Sequence, residues 1–185
     1  MFPASCTGAW EAAIPNPLSP ENNLMATSEG VLSHRWIDLC ERFGPDVTVV
    51  EVTWGDAQPS ERKKEILKAD THHKIRVVLA RHNETATGVA SDIAPISEAI
   101  DCAKNNPAKL LIDGVNSIWS IDSCIEGRGV DVALSRSQKG FMLPAVFAIV
   151  SIWQKAIPAP ETARLPRTYF DFRDMITVCN AISCP

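Results

Sequence analysis

The sequence predicts an α/β domain of three layers, in which a mostly parallel sheet lies between two layers of helices. Short apolar runs recur along the chain, amphipathic stretches separate them, and most of the runs are rich in β-branched residues. Nearly continuous apolar runs are typical of strands that are buried on both faces. Five such strands are predicted, over residues 47–52, 75–80, 109–112, 130–134 and 146–150.

Three stretches between these strands have the pattern of helices. Residues 60–69 are rich in charge, and Ile66 and Leu67 are expected to face the core. Residues 95–104 begin with a proline, which suits the first turn of a helix. In residues 32–43, apolar side chains recur at helical spacing, namely Leu32, Trp36, Leu39, Cys40 and Phe43.

Proline residues interrupt both ends of the chain. Pro15 and Pro17 lie where a first helix would continue, and they are expected to end it early. Further prolines break up the C-terminal part, and residues 177–185 have no clear period. We therefore predict one domain over residues 1–176, followed by a divergent tail over residues 177–185.

Length and composition fit a single globular domain. The chain has 185 residues, of which 45% are hydrophobic and 22% charged, close to ordinary globular usage. A formal net charge of −4 gives no general electrostatic reason to bind nucleic acid or an anionic membrane surface. No apolar run approaches the roughly 18–20 residues of a membrane-spanning helix, and the N-terminus does not resemble a secretory signal. We therefore expect a soluble, intracellular protein.

The six cysteines are widely scattered, with no CxxC pair and no histidine at ligand spacing beside them. An even number would permit disulfides. In a chain without a signal sequence, however, reduced and mostly buried thiols are the favoured interpretation. A zinc site is disfavoured for the same reason.

Polar loops follow several of the predicted elements, and in open α/β sheets ligands bind in the loops at the carboxyl ends of strands. Near the N-terminus, Thr7, Gly8 and Ala9 can present backbone N–H groups and a helix dipole to a phosphate. A simple helix N-cap at Thr7 is the alternative. Residues 82–88 form a polar cluster after a strand, in which His82 would more often be a structural group.

Two ionisable residues lie at the ends of later strands. Asp113 closes an apolar run, and a buried carboxylate there needs a cation or a strong donor. A protonated pyridine nitrogen is one such partner, and a helix cap or loop carboxylate is the alternative. Lys139, flanked by small polar residues, can form a Schiff base with an aldehyde cofactor. Taken alone, a lysine at such a position is more often a solvated surface residue.

In combination these features, which occur in one order along the chain, resemble class V aminotransferases. The resemblance is greatest to the serine–glyoxylate and alanine–glyoxylate group, and it runs from about Phe2 to Ile176. Its motifs are TGAWEAA (7–13), HNETATGV (82–89), LLIDGVNSI (110–118), GVDVAL (129–134), SQKGFMLP (137–144) and PRTYFDF (166–172). It implies a truncated large domain of a fold-type I transferase that uses pyridoxal 5'-phosphate.

The resemblance also implies a role for individual residues. Lys139 would hold the cofactor as a Schiff base and move the proton between Cα and C4′, and Asp113 would pair with the pyridinium nitrogen. Asn83 and Glu84 are expected to shape their loop rather than to do chemistry. The other implied cofactor contacts are Thr7, Gly8, Ala9 and Gln138 at the phosphate, Thr85 at the ring hydroxyl, and Val115 on the ring face.

Several features depart from the family pattern. Family members are considerably longer, and both the N-terminal dimer segment and the small C-terminal domain, with its substrate-binding arginine, are expected to be absent. Arg164 and Arg167 do not lie in that arginine's motif. Arg136 stands where a small residue is usual, and residues 143–147 lack the expected glycine.

The reaction implied by the resemblance is transfer of an amino group from serine or alanine to glyoxylate, which gives glycine. The partners would be amino acid and 2-oxo acid substrates, with a homodimer in full-length members. The alternatives are a truncated, inactive relative that at most binds pyridoxal phosphate, and an interaction protein that reuses the core without a cofactor. Peroxisome and cytoplasm both remain open, because residues 182–185 form no recognisable peroxisomal address.

Overall fold

The computed structural model of the chain describes residues 1–103, 106–122, 125 and 127–182. Lys104, the predicted end of the third helix, lies outside the described residues, as do Cys124 and Cys184. The helices are α1 (Cys6–Ala13), α2 (Val31–Arg42), α3 (Ser60–Ala69), α4 (Ala94–Asp101), α5 (Ala159–Thr162) and α6 (Phe172–Ile182). Within the described ranges, no helix is long and apolar enough to cross a membrane.

A seven-stranded sheet has the order β1-β9-β8-β7-β4-β2-β3. The four neighbouring pairs from β3 to β8 are parallel, whereas β9 and β1 are added antiparallel, so the sheet is mostly parallel as predicted. A separate pair of short strands, β5 and β6, lies in the loop after β4. The strands are β1 (Phe2–Pro3), β2 (Asn23–Ser28), β3 (Asp46–Glu51), β4 (Ile75–Arg81), β5 (Asn83–Glu84), β6 (Val89–Ala90), β7 (Lys109–Asp113), β8 (Val132–Arg136) and β9 (Phe147–Ile152).

The five predicted strands are confirmed to within two residues at each end. Strand β2, which lies between β4 and β3, was missed by the sequence analysis. Its sequence, NLMATS, has a single β-branched residue and a short apolar run, so it lacks the usual strand signal. The first helix ends at Ala13, before Pro15, as expected.

The sheet separates two hydrophobic cores, which makes the domain three-layered. On β4, Val77 and Leu79 face one core, and Val78 and Ala80 face the other, because successive side chains of a strand point to opposite faces. The first core receives Trp10 from α1 and Trp36 from α2. The second receives Leu67 from α3 and Ile96 and Ile100 from α4.

Helix α6 corrects the expectation for the tail. The predicted boundary at residue 176 falls inside this helix, which continues to Ile182. Phe172, Met175 and Ile176 pack on or against the first core. Their i, i+3, i+4 spacing places them on one helical face, so packing orders a segment whose sequence shows no clear period beyond residue 177.

The described cysteines Cys6, Cys40 and Cys102 are free thiols. Cys40 is buried, and burial raises the pKa of its thiol well above the ordinary range. Cys6 is half-buried and Cys102 is exposed, so Cys40 is the buried one of these three thiols. The position of Cys102 in the turn after α4 leaves it outside the second core.

Leu111→Ala is expected to lower the free energy of unfolding by about 2–5 kcal/mol, because Leu111 is fully buried in β7 and the change removes its packing and leaves a cavity. Leu143→Ala is the matched control, since Leu143 is 53% exposed and its loss should cost less than about 0.5 kcal/mol. Urea unfolding of both variants measures the difference. Equal losses would show that the first core is not where the structure places it.

Candidate active site

The carboxyl ends of the parallel strands β4, β7 and β8 meet at one edge of the sheet. The backbone N–H of His82, just after β4, donates to the carbonyl of Asp113 at the end of β7 (3.1 Å). The N–H of Gly114 donates in turn to the carbonyl of Leu134 in β8 (2.9 Å). The predicted site residues after these strands therefore lie in adjoining loops.

Asp113 is a buried carboxylate with several contacts at this edge. It is 2% exposed, and its Oδ2 accepts a hydrogen bond from Trp10 Nε1 (3.0 Å) and pairs with Arg81 NH1 (2.9 Å). Its Oδ1 accepts from the N–H of Val115 (2.9 Å). Because an ionised carboxylate has about four acceptor positions, these contacts leave capacity for one more donor.

Arg81 was missed by the sequence analysis, although a charge at the end of an apolar run was a signal for it. Its side chain is 3% exposed, lies 5.6 Å from the centre of the Trp10 ring, and has its Nε 3.4 Å from Glu84 Oε2. Glu84 also accepts from the N–H groups of Ser33 at the start of α2 (3.1 Å) and of Ala86 (3.0 Å). The contact with Ala86 lies within the loop that Glu84 is expected to shape, and the contact with Ser33 ties this loop to α2.

The start of α1 differs from the expected phosphate cradle. The N-cap is Ser5 rather than Thr7, and the N–H groups of Gly8 and Ala9 donate to Ser5 Oγ (3.4 Å) and to the Ser5 carbonyl (3.2 Å). A Cβ at Gly8 would lie 2.6 Å from that of Ala4 and 3.2 Å from the Phe170 ring, so packing alone requires a glycine here. The N–H groups of Gly8 and Ala9 are thus occupied, and Thr7 is the half-buried, more accessible member of the predicted set.

Lys139 lies in the turn after β8, with an exposed side chain. Its N–H donates to the carbonyl of Arg136 (3.1 Å). A Cβ at Gly140 would lie 2.1 Å from the carbonyl oxygen of Ile118. The turn therefore packs so closely against the segment that follows Asp113 that only glycine fits at position 140. Gln138 is half-buried, and its Oε1 has no hydrogen-bond partner among the residues that the structure describes.

The loop after β4 holds Thr85, which is exposed and accepts a hydrogen bond from the side-chain amide of Asn116. Asn116 follows Val115, which is 5% exposed beside Asp113. The structure therefore brings Thr85, Val115 and Asp113 together.

His82 is buried, and burial, with a smaller contribution from Arg128, lowers its pKa below the usual histidine value.

The arginines that depart from the family pattern have different environments. Arg136 is half-buried, and its Nε has no hydrogen-bond partner within the described part of the chain. Arg164 is exposed and pairs with Glu21. The side chain of Arg167 is 5% exposed and pairs with Asp171 (3.2 Å), so it is engaged within the C-terminal loop. Met142, just before the segment that lacks the expected glycine, adopts a left-handed backbone with φ of +53°.

A second buried polar network lies beside Arg81 and was not predicted. Gln58 Nε2 donates to Glu29 Oε1 (3.2 Å) and to the carbonyl of Arg81 (2.7 Å), and its Oε1 accepts from Lys63 Nζ. Lys63 is fully buried on the charge-rich helix α3. Burial raises the pKa of Glu29 to about 7 and lowers the pKa of Lys63 to about 7, and each charge partly offsets the effect on the other.

The fold and this edge of the sheet define the class to which the chain belongs. The crystal structure of alanine–glyoxylate aminotransferase from Nostoc sp. has a TM-score of 0.87 to it, at 24% identity, over 100% of this chain and 48% of that chain. An aspartate aminotransferase structure from Thermus thermophilus has a TM-score of 0.83 at 25% identity, over 95% of this chain and 47% of that chain. Both share the fold.

The family model for class-V aminotransferases matches residues 2–159, and the chain belongs to this family. It is 58% identical over 177 residues to the L-aspartate–glyoxylate aminotransferase of Paracoccus denitrificans, covering 96% of this chain. It is 44% identical over 178 residues to the serine–glyoxylate aminotransferase of Hyphomicrobium methylovorum, covering 95% of this chain. The chain spans 44% of the length of each of these relatives.

The buried network predicts a specific dependence of stability on pH. The pKa of Glu29 is raised in the folded chain, so its contribution to stability is lost as the pH rises from about 4.5 to about 7. The pKa of Lys63 is lowered, so its contribution is gained as the pH rises from about 7 to about 10.5. Lys63→Met should therefore flatten the rise in unfolding free energy above pH 7, measured by urea titration across this range.

Lys68→Met is the control, because Lys68 lies on the same helix with an exposed side chain. It should keep the wild-type pH profile. A Lys63→Met profile that parallels wild type above neutral pH would show that the Lys63 amine is not buried in the folded chain.

Proposed function

We propose that the protein of which this chain is part transfers an amino group to glyoxylate, with pyridoxal 5'-phosphate as the cofactor and glycine as the product. The observation that carries the proposal is the buried Asp113 carboxylate at the end of β7 in a class-V aminotransferase chain. The neighbouring strand β8 is followed by the turn that contains Lys139. Serine and alanine are the donors implied by the sequence. Aspartate joins them because a relative of 58% identity is named for it.

The residues at this edge fit the cofactor. Beside its contacts with Trp10, Val115 and Arg81, Asp113 has acceptor capacity left for a protonated pyridine nitrogen. Thr7 and Gln138 offer a hydroxyl and an amide for the phosphate, with Thr85 for the ring hydroxyl. Of the original phosphate set, Gly8 and Ala9 would contribute through their position at the helix N-terminus rather than through free N–H groups.

When bound, pyridoxal phosphate supplies an electron sink for the carbanion at the amino acid Cα. The residues of this chain do the rest. Asp113, held in place by the Trp10 N–H, would pair with the protonated ring nitrogen of the bound cofactor, and Val115 beside it would contact the ring. The Lys139 amine would hold the aldehyde end of the cofactor and would move a proton to and from the substrate.

The complete activity needs more than these residues. We propose that residues 1–176 form part of the large cofactor domain, and that an arginine outside this chain binds the substrate carboxylate, since bidentate pairing orients it. A homodimer and a peroxisomal or cytoplasmic location belong to the same proposal.

Lys139→Ala should abolish the absorbance band that forms when the purified chain is mixed with pyridoxal 5'-phosphate, because the band requires a covalent bond to the lysine amine. Absorbance titration of wild type and variant measures this. Lys68→Ala is the control, because an exposed lysine on α3 is remote from the strand ends and should leave the band unchanged.

Serine, alanine and aspartate are then added in turn to the wild-type complex. Loss of the band with one of them, restored by glyoxylate, identifies the amino donor. A folded wild-type chain that forms no band contradicts the proposal and favours an interaction protein without cofactor. A band that no donor removes supports the truncated, inactive relative.

A further inference from the structure

Three charged side chains form one buried cluster beside the ring-nitrogen position. Arg81 pairs with Asp113 at 2.9 Å and lies 3.4 Å from Glu84, and the side chains of all three are at most 3% exposed. With one cation and two carboxylates, the cluster has a net charge of −1. A dry site with a net charge favours a ligand group of the opposite sign, because little water is present to screen it.

We infer that Glu84 is a positioning residue, which neutralises Arg81 so that Asp113 keeps a net negative charge for the ring nitrogen of the cofactor. This inference depends on the proposed function, and it gives Glu84 a role beyond shaping its loop. Without Glu84, the guanidinium alone would neutralise Asp113, and the cluster would no longer favour a protonated ring nitrogen.

The surroundings of Glu84 offer donors to its carboxylate oxygens. It accepts hydrogen bonds from two backbone N–H groups, one of them Ser33 in the first turn of α2. A helix N-terminus favours a negative charge. The charges of Glu29 and Lys63 leave this count unchanged near pH 7, because the pKa of Glu29 is raised to about 7 and the pKa of Lys63 is lowered to about 7, so that their average charges cancel there. Burial lowers the pKa of His82, which favours its neutral form.

The alternative is that Glu84 only braces the loop and α2. Both roles predict that Glu84→Gln weakens cofactor binding, so affinity alone does not separate them. The effect on charge separates the two roles, because removal of the Glu84 carboxylate and removal of the Arg81 cation have opposite electrostatic effects on a protonated ring nitrogen. A bracing role predicts that both substitutions loosen the site in the same direction.

The test uses the full chain bound to pyridoxal 5'-phosphate labelled with ¹⁵N in the ring, and the measurement is the ¹⁵N chemical shift of that nitrogen as a function of pH. In Glu84→Gln the ratio of protonated to unprotonated ring nitrogen at a given pH should fall by about tenfold relative to wild type, since a neighbouring charge in a dry site shifts a protonation equilibrium by about that much. In Arg81→Gln the ring nitrogen should be at least as protonated as in wild type. Glu51→Gln, at an exposed position at the end of β3, is the charge-matched control and should not change the shift.

Arg81→Gln leaves two buried carboxylates without a cation, so Arg81→Lys accompanies it and should keep the wild-type shift if the charge alone matters. A second measurement compares the dissociation constants of pyridoxal 5'-phosphate and of its analogue with carbon in place of the ring nitrogen. Wild type should prefer the nitrogen form, and Glu84→Gln should lose about tenfold of that preference.

Opposite effects of Glu84→Gln and Arg81→Gln support the inference. Shifts that move together, or a Glu84→Gln complex with the wild-type shift and preference, overturn the inference and leave the proposed function intact. A folded wild-type chain that binds neither compound overturns the proposed function, and the role of Glu84 with it.

Discussion

The removal of the Asp113 carboxylate from water is the constraint that organises the candidate site. A buried charge needs donors around it, and here they come from three separate parts of the chain. Trp10 contributes an indole N–H from α1, Arg81 a guanidinium from β4, and Val115 a backbone N–H from the turn after β7. One anion therefore fixes a helix and a loop against the strand end from which it projects.

Arg81 brings its own requirement, because a buried guanidinium has more donors than one carboxylate oxygen can use. Glu84 places a second negative charge 3.4 Å from Arg81 Nε, although Nε and NH1 of Arg81 make no hydrogen bond among the described residues. Glu84 also accepts the Ser33 N–H, so the polar contacts extend from Asp113 to the first turn of α2. Loss of one partner of such a buried pair generally costs about 3–5 kcal/mol, since the other charge remains buried. A substitution of one of these charged residues is therefore expected to lower the stability of the fold as well as to change the site.

The sequence predicts what depends on local pattern and misses what depends on distant partners. The alternation of Val77, Val78 and Leu79 and the position of Asp113 follow from strand periodicity and strand ends, which are readable within a few residues. The burial of Lys63 does not, because its solvation is replaced by Gln58, which in turn bonds to Glu29 and Arg81. Helix α6 is a different case, because its Phe172, Met175 and Ile176 recur at helical spacing and pack on or against the first core.

The start of α1 shows how the C-terminal loop reaches the site. Asn16, just after α1, donates to the carbonyl of Phe170 (2.8 Å) and accepts from the N–H of Phe172 (2.9 Å), while the Phe170 ring fills the space that a side chain at Gly8 would need. Arg167 completes the attachment by donating to the carbonyl of Pro15 (3.2 Å). Both ends of α1 are therefore held by residues 167–172, and the direction of its N-terminus depends on a segment about 150 residues away in sequence. This accounts physically for the PRTYFDF motif: it contributes no group to the strand ends, but it holds the helix whose Trp10 binds Asp113.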